Sequence, residues 1–404
     1  MKQTKAIQLP FRIHPALRPI LVGILSFALF NLLFTVGVTL SPLNQKFNFS
    51  YGNFLPTKLQ MLKSHQPNKL DVLFMGTSQT NNGFITNVFE KATGQPIHSF
   101  NLGLPNNRYD IMLAYLQFHQ QQFGRPKLLL LELSPSIQEK DAYLYYLPAL
   151  YYRTLIEQAP NLAGTYLNNP LLAENVKQEL LLSSVSSLHQ YRFTFSPVNV
   201  ISKVSGKLKS LTAGWQGDSA NAEPVYAEDS AAVSSTENLD PAMTENGWYP
   251  KEQSPHMRTP EGIRLSVAEA KKYYIDQQPT VSFDKLRALL VYCREQKIPV
   301  VLVSWPNHPA FLKTFEQSRL NTLYQQGLQQ LLAEEKTPVI NLNREIPPEQ
   351  TETTGGLFAD PRHLTPQGAQ VFSQILARKI SALPQAQSVL YSSQTLSQNS
   401  SQNR

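Results

Sequence analysis

The sequence predicts an α/β fold in which helices cover both faces of a doubly wound parallel sheet. Four short apolar runs, each bounded by turn-forming residues, are typical of strands that are buried on both faces. Stretches with helical spacing lie between these runs, and strands that alternate with helices form parallel sheets. A chain of 404 residues accommodates one large domain of this kind with additional segments.

The first element is an apolar segment without charged residues at positions 19–40. A helix of this length, rising about 1.5 Å per residue, extends over about 33 Å and matches the roughly 30 Å hydrocarbon core of a bilayer. The basic residues before it are Lys2, Lys5, Arg12 and Arg18. The first basic residue after it is Lys46. Because basic residues favour the cytoplasmic side, we expect a single-pass protein of the cell membrane, with residues 1–18 in the cytoplasm and the main domain extracytoplasmic or periplasmic.

This segment has two alternative interpretations. A cleaved signal peptide would have a shorter apolar core and a cleavage site of small residues. The core here is long and runs into Ser41-Pro42 without an Ala-x-Ala pattern. A buried helix of a soluble protein would have a polar face, whereas only Asn31 and a few Ser and Thr residues interrupt this one. The pattern therefore favours an uncleaved transmembrane signal anchor.

The α/β domain is expected at residues 69–384, after a polar stalk with a lead-in helix at residues 41–68. Its four strand-like runs are residues 69–76, 127–135, 298–306 and 338–342. Helical patterns precede the last two runs, around residues 286–294 and 319–335.

An insertion is expected to interrupt this domain at residues 151–262. Its first part, residues 151–210, has helical spacing of leucines, whereas residues 216–262 are rich in Ala, Ser, Glu, Asp and Pro. Such a composition buries little apolar surface, so we interpret this second part as partly disordered. The tail at residues 385–404 is dominated by Ser, Gln and Asn and is also expected to be disordered.

Composition and charge exclude several kinds of function. The formal net charge is +7, but the basic residues are scattered without a Lys/Arg-rich run, so no nucleic-acid partner is expected. The single cysteine, Cys293, permits no intramolecular disulfide and lies in a helical pattern typical of a core residue. The histidines have no metal-ligand spacing, so neither a metal nor another cofactor is expected.

The first chemical motif follows the first predicted strand, at Gly76-Thr77-Ser78. The carboxyl end of a strand is where an open α/β sheet presents reactive groups. A serine on a strand-to-helix turn can act as a nucleophile, because the N–H groups that start the helix stabilise an oxyanion. The alternative is that Ser78 only caps the next helix, since such residues are common in turns.

The second motif is Asp360-Pro361-Arg362-His363, shortly before a C-terminal helical pattern. Thr365 is expected to cap that helix, with Pro366 at its first position. A carboxylate three residues before a histidine can orient the imidazole and stabilise its protonated form. The alternative is a loop histidine that lies near an unrelated aspartate.

Together these motifs resemble those of the SGNH/GDSL hydrolase superfamily, whose fold is a flavodoxin-like three-layer arrangement of a parallel sheet between two layers of helices. The resemblance implies that Ser78 is the nucleophile, His363 the base and Asp360 its orienting partner, with Thr77 standing where the family has Asp. Residues 100–107 resemble the block that supplies a glycine N–H to the oxyanion hole. The oxyanion or substrate-binding residues expected from this block are Gly103, Asn101, Asn106 and Asn107.

One block of the family is not visible. Glu132-Leu133-Ser134-Pro135 stands after the second predicted strand, where the family has Gly-x-Asn-Asp. The asparagine of that block is the usual side-chain donor to the oxyanion. Asn106 and Asn107 are candidates to replace it. Losing one such donor costs on the order of 100- to 1000-fold in rate, so reduced or altered activity is one reading.

A further cluster, Asn307-His308 between two prolines, follows the third predicted strand. Strand ends on the edge that carries Ser78 face the same cleft, so Asn307 or His308 is a candidate to touch substrate. A tight turn closed by the two prolines is the alternative interpretation.

Thr77 and the predicted anchor resemble the membrane-bound branch of the superfamily, which includes alginate O-acetylation proteins and the D-alanyl transfer protein of teichoic acid modification. This likeness implies a serine esterase or O-acyltransferase that acts on an acylated envelope polysaccharide or related polymer. The alternative is a catalytically weak scaffold that binds glycan or partner proteins in an envelope export assembly. A purely structural role leaves the paired motifs unexplained.

Overall fold

The structure is a computed structural model. It describes residues 18–40, 54–64, 70–135, 146–185, 243–244, 246–276, 281–346, 356–384 and 386–387. Residues 186–242 of the predicted insertion lie outside these residues, as does the predicted tail apart from residues 386 and 387. The chain divides into two compact units, one of residues 1–48 and 181–221 and one of residues 49–180 and 222–404. The motifs described above all belong to the second unit.

In the first unit, helix α1 runs from Arg18 to Leu40 and covers the predicted anchor. The side chains of this helix are described only as far as residue 33. Within the described part of the chain, no helix is long and apolar enough to cross a membrane. Membrane anchoring and its orientation therefore stay predictions.

The second unit contains a sheet of five parallel strands in the order β2-β1-β3-β4-β5. The strands are β1 (Val72–Gly76), β2 (Ser99–Gly103), β3 (Leu128–Glu132), β4 (Val300–Ser304) and β5 (Val339–Asn341). All residues of β1, β2 and β3 are buried, as expected for strands with helices on both faces. The predicted parallel α/β sheet is thus confirmed, and four of its strands match the four apolar runs.

Twelve helices belong to this unit in whole or in part within the described residues. They are α2 (Phe54–Ser64), α3 (Ser78–Gly83), α4 (Thr86–Thr93), α5 (Tyr109–Phe123), α6 (Tyr146–Gln158), α7 (Ala163–Leu167), α8 (Glu174–Val185), α9 (Pro260–Lys271), α10 (Asp284–Glu295), α11 (Pro309–Glu316), α12 (Arg319–Glu335) and α13 (Pro366–Ser381). Helix α13 packs against α3 and α4, whereas α10 packs against α5 and α12. Right-handed crossovers in this strand order place these two groups on opposite faces of the sheet.

Helix α2 lies inside the segment that was expected to be a stalk. Its residues Leu55, Leu59 and Leu62 are buried in the core of the second unit. The core therefore begins before the expected domain boundary at residue 69, because the apolar face of α2 needs a surface to cover it.

The start of α13 agrees with the sequence. Thr365 is its N-cap and accepts a hydrogen bond from the backbone N–H of Gly368, and Pro366 follows at the first helical position. Proline is favoured there because the first N–H groups of a helix have no intrahelical acceptor. This cap fixes where the Asp360–His363 loop ends and the helix begins.

Candidate active site

Ser78, His363 and Asp360 lie in one hydrogen-bonded row. Ser78 Oγ is 2.8 Å from His363 Nε2, and His363 Nδ1 is 2.6 Å from Asp360 Oδ2. These are the distances at which a base removes a proton from a nucleophile while a carboxylate orients it. Ser78 and His363, which stand 285 positions apart in the sequence, therefore lie within hydrogen-bonding distance, and Asp360 lies on the other side of the imidazole.

Ser78 owes its position to the end of β1, an interior strand of the sheet. The strand ends at Gly76, Thr77 caps α3, and Ser78 is the first helical residue. Thr77 Oγ1 accepts a hydrogen bond from the backbone N–H of Gln79 at 3.2 Å. Thr77 is thus the cap of this helix, and the side chain of Ser78 is left to face His363.

The Asp360 loop is held by its own carboxylate. Asp360 Oδ1 accepts hydrogen bonds from the backbone N–H groups of Arg362 at 2.7 Å and His363 at 2.9 Å. A short antiparallel bridge between Phe358 and Leu364 closes the loop at its base. Oδ1 therefore orders the backbone, while Oδ2 stays available for the imidazole.

Lys251 is a member of this site that the sequence did not reveal. Its Nζ lies 2.8 Å from Asp360 Oδ2, the same oxygen that contacts His363. Lys251 falls in the part of the insertion that was expected to be disordered. Two backbone hydrogen bonds hold the chain before and after Lys251. The N–H of Tyr249 donates to Asn81 O near Ser78, and the N–H of Ser254 donates to Ala359 O next to Asp360.

The pKa values of the pair follow from burial and these charges. Burial alone would raise the pKa of Asp360, but the charges of His363 and Lys251 and their hydrogen bonds hold it well below its usual value. Burial lowers the pKa of His363, and the charges of Lys251 and Arg362 lower it further. Asp360 raises this pKa, but the pKa of His363 still lies below its usual value. His363 is therefore neutral at neutral pH, the form that accepts a proton.

Glu132 occupies the place of the missing third block. Its buried carboxylate accepts hydrogen bonds from the backbone N–H and hydroxyl of Thr77, each at 2.7 Å, and from those of Thr80 at 3.2 and 2.7 Å. These two threonines flank the turn that carries Ser78. A Cβ at Gly76 would overlap Glu132 and Thr80, so only glycine lets the carboxylate approach the turn this closely.

Lys58 of α2 is a second buried charge that sequence reasoning missed. Its side chain is fully buried, and Nζ donates to Asn81 Oδ1 at 2.6 Å, Asn101 O at 3.0 Å and Gly103 O at 2.6 Å. Burial lowers its pKa well below the usual value. The amine thus joins α2 and α3 to the end of β2.

Asn101 and Gly103 have internal partners in this structure. Asn101 Nδ2 donates to Thr80 O and Phe84 O, while Asn101 Oδ1 accepts the backbone N–H of Gly103 at 2.8 Å. Glycine is needed at 103 because a Cβ would overlap the backbone of Asn81. The N–H expected to serve the oxyanion hole is therefore engaged by a side chain of its own strand.

The other expected asparagines of this block differ from each other. Asn106 is exposed and has a left-handed backbone with a φ of 52°, a conformation that asparagine tolerates better than most residues. Asn107 is buried, and its Nδ2 donates to Gly76 O at 3.1 Å.

Of the first three N–H groups of α3, those of Gln79 and Thr80 have side-chain acceptors. Within the described residues, the N–H of Ser78 has none and remains available to an oxyanion.

Asn307 and His308 lie near the row but have different surroundings. Asn307 Oδ1 accepts from Gln79 Nε2 at 3.3 Å, which places it close to the residue after Ser78. His308 Nδ1 caps α11 by accepting the N–H of Ala310, and its ring packs on Phe358. Burial lowers the pKa of His308. Asn307 thus contacts the residue next to Ser78, and a contact of Asn307 or His308 with substrate stays a prediction.

Two signals in the sequence pointed to the residues that were missed. Glu132 is a charged residue at the end of an otherwise apolar run, and a buried strand end rarely carries an unpaired carboxylate. Lys58 lies on the apolar face of the lead-in helix. Lys251 gave no such signal, since its contact with Asp360 depends on the path of the whole insertion.

Within the described residues, no group of three or more His, Cys, Asp or Glu side chains is placed to hold a metal ion. An uncharacterised protein family matches residues 256–384 of the chain. The matched part contains Asp360 and His363 but not Ser78. No curated protein matches the sequence.

Proposed function

We propose that this protein is a serine esterase or O-acyltransferase that uses Ser78, His363 and Asp360. The observation that carries the proposal is the row of contacts at 2.8 and 2.6 Å from Ser78 Oγ through His363 to Asp360. A hydroxyl beside a neutral imidazole whose far nitrogen faces a carboxylate is the arrangement that acyl transfer needs.

In the first step Ser78 Oγ attacks the acyl carbonyl carbon, and its proton passes to His363 Nε2. Asp360 stabilises the resulting imidazolium through Nδ1–H. The negative charge on the carbonyl oxygen is stabilised by the N–H of Ser78. Collapse of the tetrahedral intermediate breaks the ester bond, and the leaving alcohol takes the proton from His363.

In the second step His363 removes a proton from the incoming nucleophile, which attacks the carbonyl carbon of the acyl-Ser78 ester. The bond to Ser78 Oγ then breaks, and His363 returns the proton to Ser78 Oγ. Water gives hydrolysis, and a sugar hydroxyl gives transfer. We propose an acylated envelope polysaccharide or related polymer as substrate. The resemblance of Gly76-Thr77-Ser78 and Asp360–His363 to the membrane-bound SGNH branch supports this choice, as does the predicted anchor.

The test is covalent labelling of the full chain with a fluorophosphonate that reacts with activated serines. We expect labelling of the unaltered protein and none of the Ser78→Ala variant. Ser64→Ala is the matched control, because Ser64 lies on the exposed end of α2, and it should label normally. Absence of labelling in the unaltered protein, or labelling that survives Ser78→Ala, contradicts the proposal.

A second candidate function is supported by the hydrogen bond from Gly103 N–H to Asn101 Oδ1 and by Glu132 in the third-block position. With fewer donors free for an oxyanion, the protein would act as a glycan- or partner-binding scaffold in an envelope assembly. This alternative requires binding that persists when Ser78 and His363 are both replaced by alanine, together with absence of labelling.

A further inference from the structure

A cavity of about 340 Å³ lies beside the row of catalytic candidates. It opens at the carboxyl ends of β3, β4 and β5, between helices α11 and α12. Its volume falls at the small end of the roughly 300–1,000 Å³ that ligand pockets occupy. The carboxyl edge of an open parallel sheet is also where such proteins bind ligands.

Three residues of the cavity wall, Ser134, Asn307 and Arg362, contact the side chain of Gln79, the residue that follows Ser78. Arg362 in turn directly precedes His363. The cavity wall therefore shares the Gln79 side chain with the turn that carries Ser78.

The wall combines carboxamides with aromatic rings. Asn321 and Gln325 line it from α12 and Asn341 and Asn343 from the end of β5, while Phe311 and Tyr324 contribute rings. Carboxamides offer donors and acceptors together, which suits hydroxyl groups that are themselves both. Aromatic rings offer the apolar faces on which a sugar ring packs.

The wall has three charged side chains, those of Glu316, Arg344 and Arg362. Glu316 and Arg344 are both exposed and carry opposite charges. The guanidinium of Arg362 lies 3.7 Å from the ring centre of Tyr274 and donates to Gln79 Oε1, so its position is set by protein groups. Carboxamides outnumber the charged side chains in the wall, a composition that suits a neutral polyhydroxylated ligand.

We propose that this cavity binds a neutral sugar unit, the alcohol part of the ester that Ser78 attacks or the sugar that accepts the acyl group. This inference rests on the proposed function for its role in catalysis. The binding itself does not require an active Ser78.

Binding is measured with the full-length Ser78→Ala protein by saturation-transfer difference NMR, using cellobiose, N,N′-diacetylchitobiose and galacturonic acid as probes. We expect at least one neutral disaccharide to bind more tightly than galacturonic acid. The variants Asn321→Leu and Gln325→Leu should each weaken it about fivefold, the effect of one lost hydrogen bond. Gln330→Leu is the matched control, because Gln330 is an exposed residue of the same helix outside the cavity wall.

No binding of either disaccharide, tighter binding of galacturonic acid, or equal weakening by Gln330→Leu overturns the sugar site. Because Ser78→Ala is used, these results do not depend on catalysis. Sugar binding without fluorophosphonate labelling of the unaltered protein would support the cavity and reject the esterase. Labelling without sugar binding would support the esterase and reject the sugar site.

Discussion

At the scale of single residues, Asp360 Oδ2 contacts two nitrogen atoms, one of an imidazole and one of a lysine. It lies 2.6 Å from His363 Nδ1 and 2.8 Å from Lys251 Nζ. The charged groups that face His363 are therefore Asp360, which favours its protonated form, and Lys251 and Arg362, which oppose it. Lys251 thus weakens the hold of Asp360 on the imidazolium and makes His363 a weaker base.

Replacing Lys251 by Met tests this competition. Removing the cation raises the pKa of His363, because Asp360 is then balanced by one positive neighbour fewer. Only neutral His363 activates Ser78, so reactivity is lost as the pH falls through this pKa. The acid limb of the pH profile for fluorophosphonate labelling should therefore move to higher pH. Lys271→Met, which removes a surface ion pair with Asp276, should leave the profile in place, and an unmoved profile in Lys251→Met would contradict the competition.

Glu132 illustrates how one carboxylate orders the turn that carries Ser78. The four donors on it come from residues just before and just after Ser78. The anionic acceptor of this turn is thus supplied by the neighbouring strand β3 and not by a residue of the turn itself.

We expect Glu132→Gln to lower the free energy of unfolding by about 1–3 kcal/mol, because the amide cannot accept all four donors. The labelling rate of Ser78 should fall about tenfold, which corresponds to about 1.4 kcal/mol in the barrier. Urea unfolding and labelling kinetics measure the two effects. Glu157→Gln on α6, where the side chain is mostly exposed, is the control and should change neither quantity. Normal kinetics in Glu132→Gln would remove Glu132 from the site's supporting residues.

At the scale of elements, α2 is joined to the sheet by a buried amine. Lys58 donates to three oxygens from α3 and β2. Removing it leaves those three acceptors buried without a donor. The helix that sequence reasoning assigned to a stalk is thus part of the structure that holds the Ser78 turn.

Lys58→Met should lower the free energy of unfolding of the full chain by about 1–3 kcal/mol, since unsatisfied buried acceptors cost energy of this order. Lys63→Met on the same helix is the control. Lys63 is exposed and donates to the Gln158 side chain, so its change should stay within about 0.5 kcal/mol. Equal stability of the two variants in urea unfolding would show that the Lys58 contacts contribute nothing net.

The strands also show why part of the fold could be predicted from the sequence and part could not. Strands β1, β3, β4 and β5 lie in apolar runs that predict strands, although only the middle residue of β5 is buried. Strand β2 was missed as a strand because Ser99 and Asn101 interrupt its apolar pattern, although both are buried. Asn101 is tolerated there because Thr80 of α3 and Phe84, which follows that helix, supply carbonyl acceptors for its amide group. Such partners come from tertiary structure, which no local pattern contains.

The candidate site could likewise be predicted from the sequence only in part. Ser78, Asp360 and His363 follow from short motifs with a fixed relation to a strand end and a helix start. The commitment of Gly103 N–H to Asn101 depends on a side-chain rotamer, and the ion pair of Lys251 depends on the course of the insertion. Sequence spacing carries neither kind of information.

At the scale of the whole molecule, the predicted orientation of residues 19–40 has a direct test. Alkaline phosphatase fused to the C-terminus should be active, because that enzyme requires an extracytoplasmic location, and a green fluorescent protein fused there after the same export should be dark. Leu29→Arg places a charge near the middle of the segment at a cost of about 2.5–3.5 kcal/mol and should reduce phosphatase activity. Leu265→Arg, at an exposed position of α9, should not. A bright fluorescent fusion with inactive phosphatase would reverse the orientation.

The separation of 285 residues between Ser78 and His363 also has a consequence for the order of events during synthesis. A chain is made from its N-terminus, so the serine exists long before its base. Contacts between such distant positions form slowly, because the intervening loop must first be closed. The hydroxyl of Ser78 therefore stays an ordinary alcohol through most of translation. On the proposed function, Ser78 becomes an activated nucleophile only after His363 and the helix that follows it have been made and have docked.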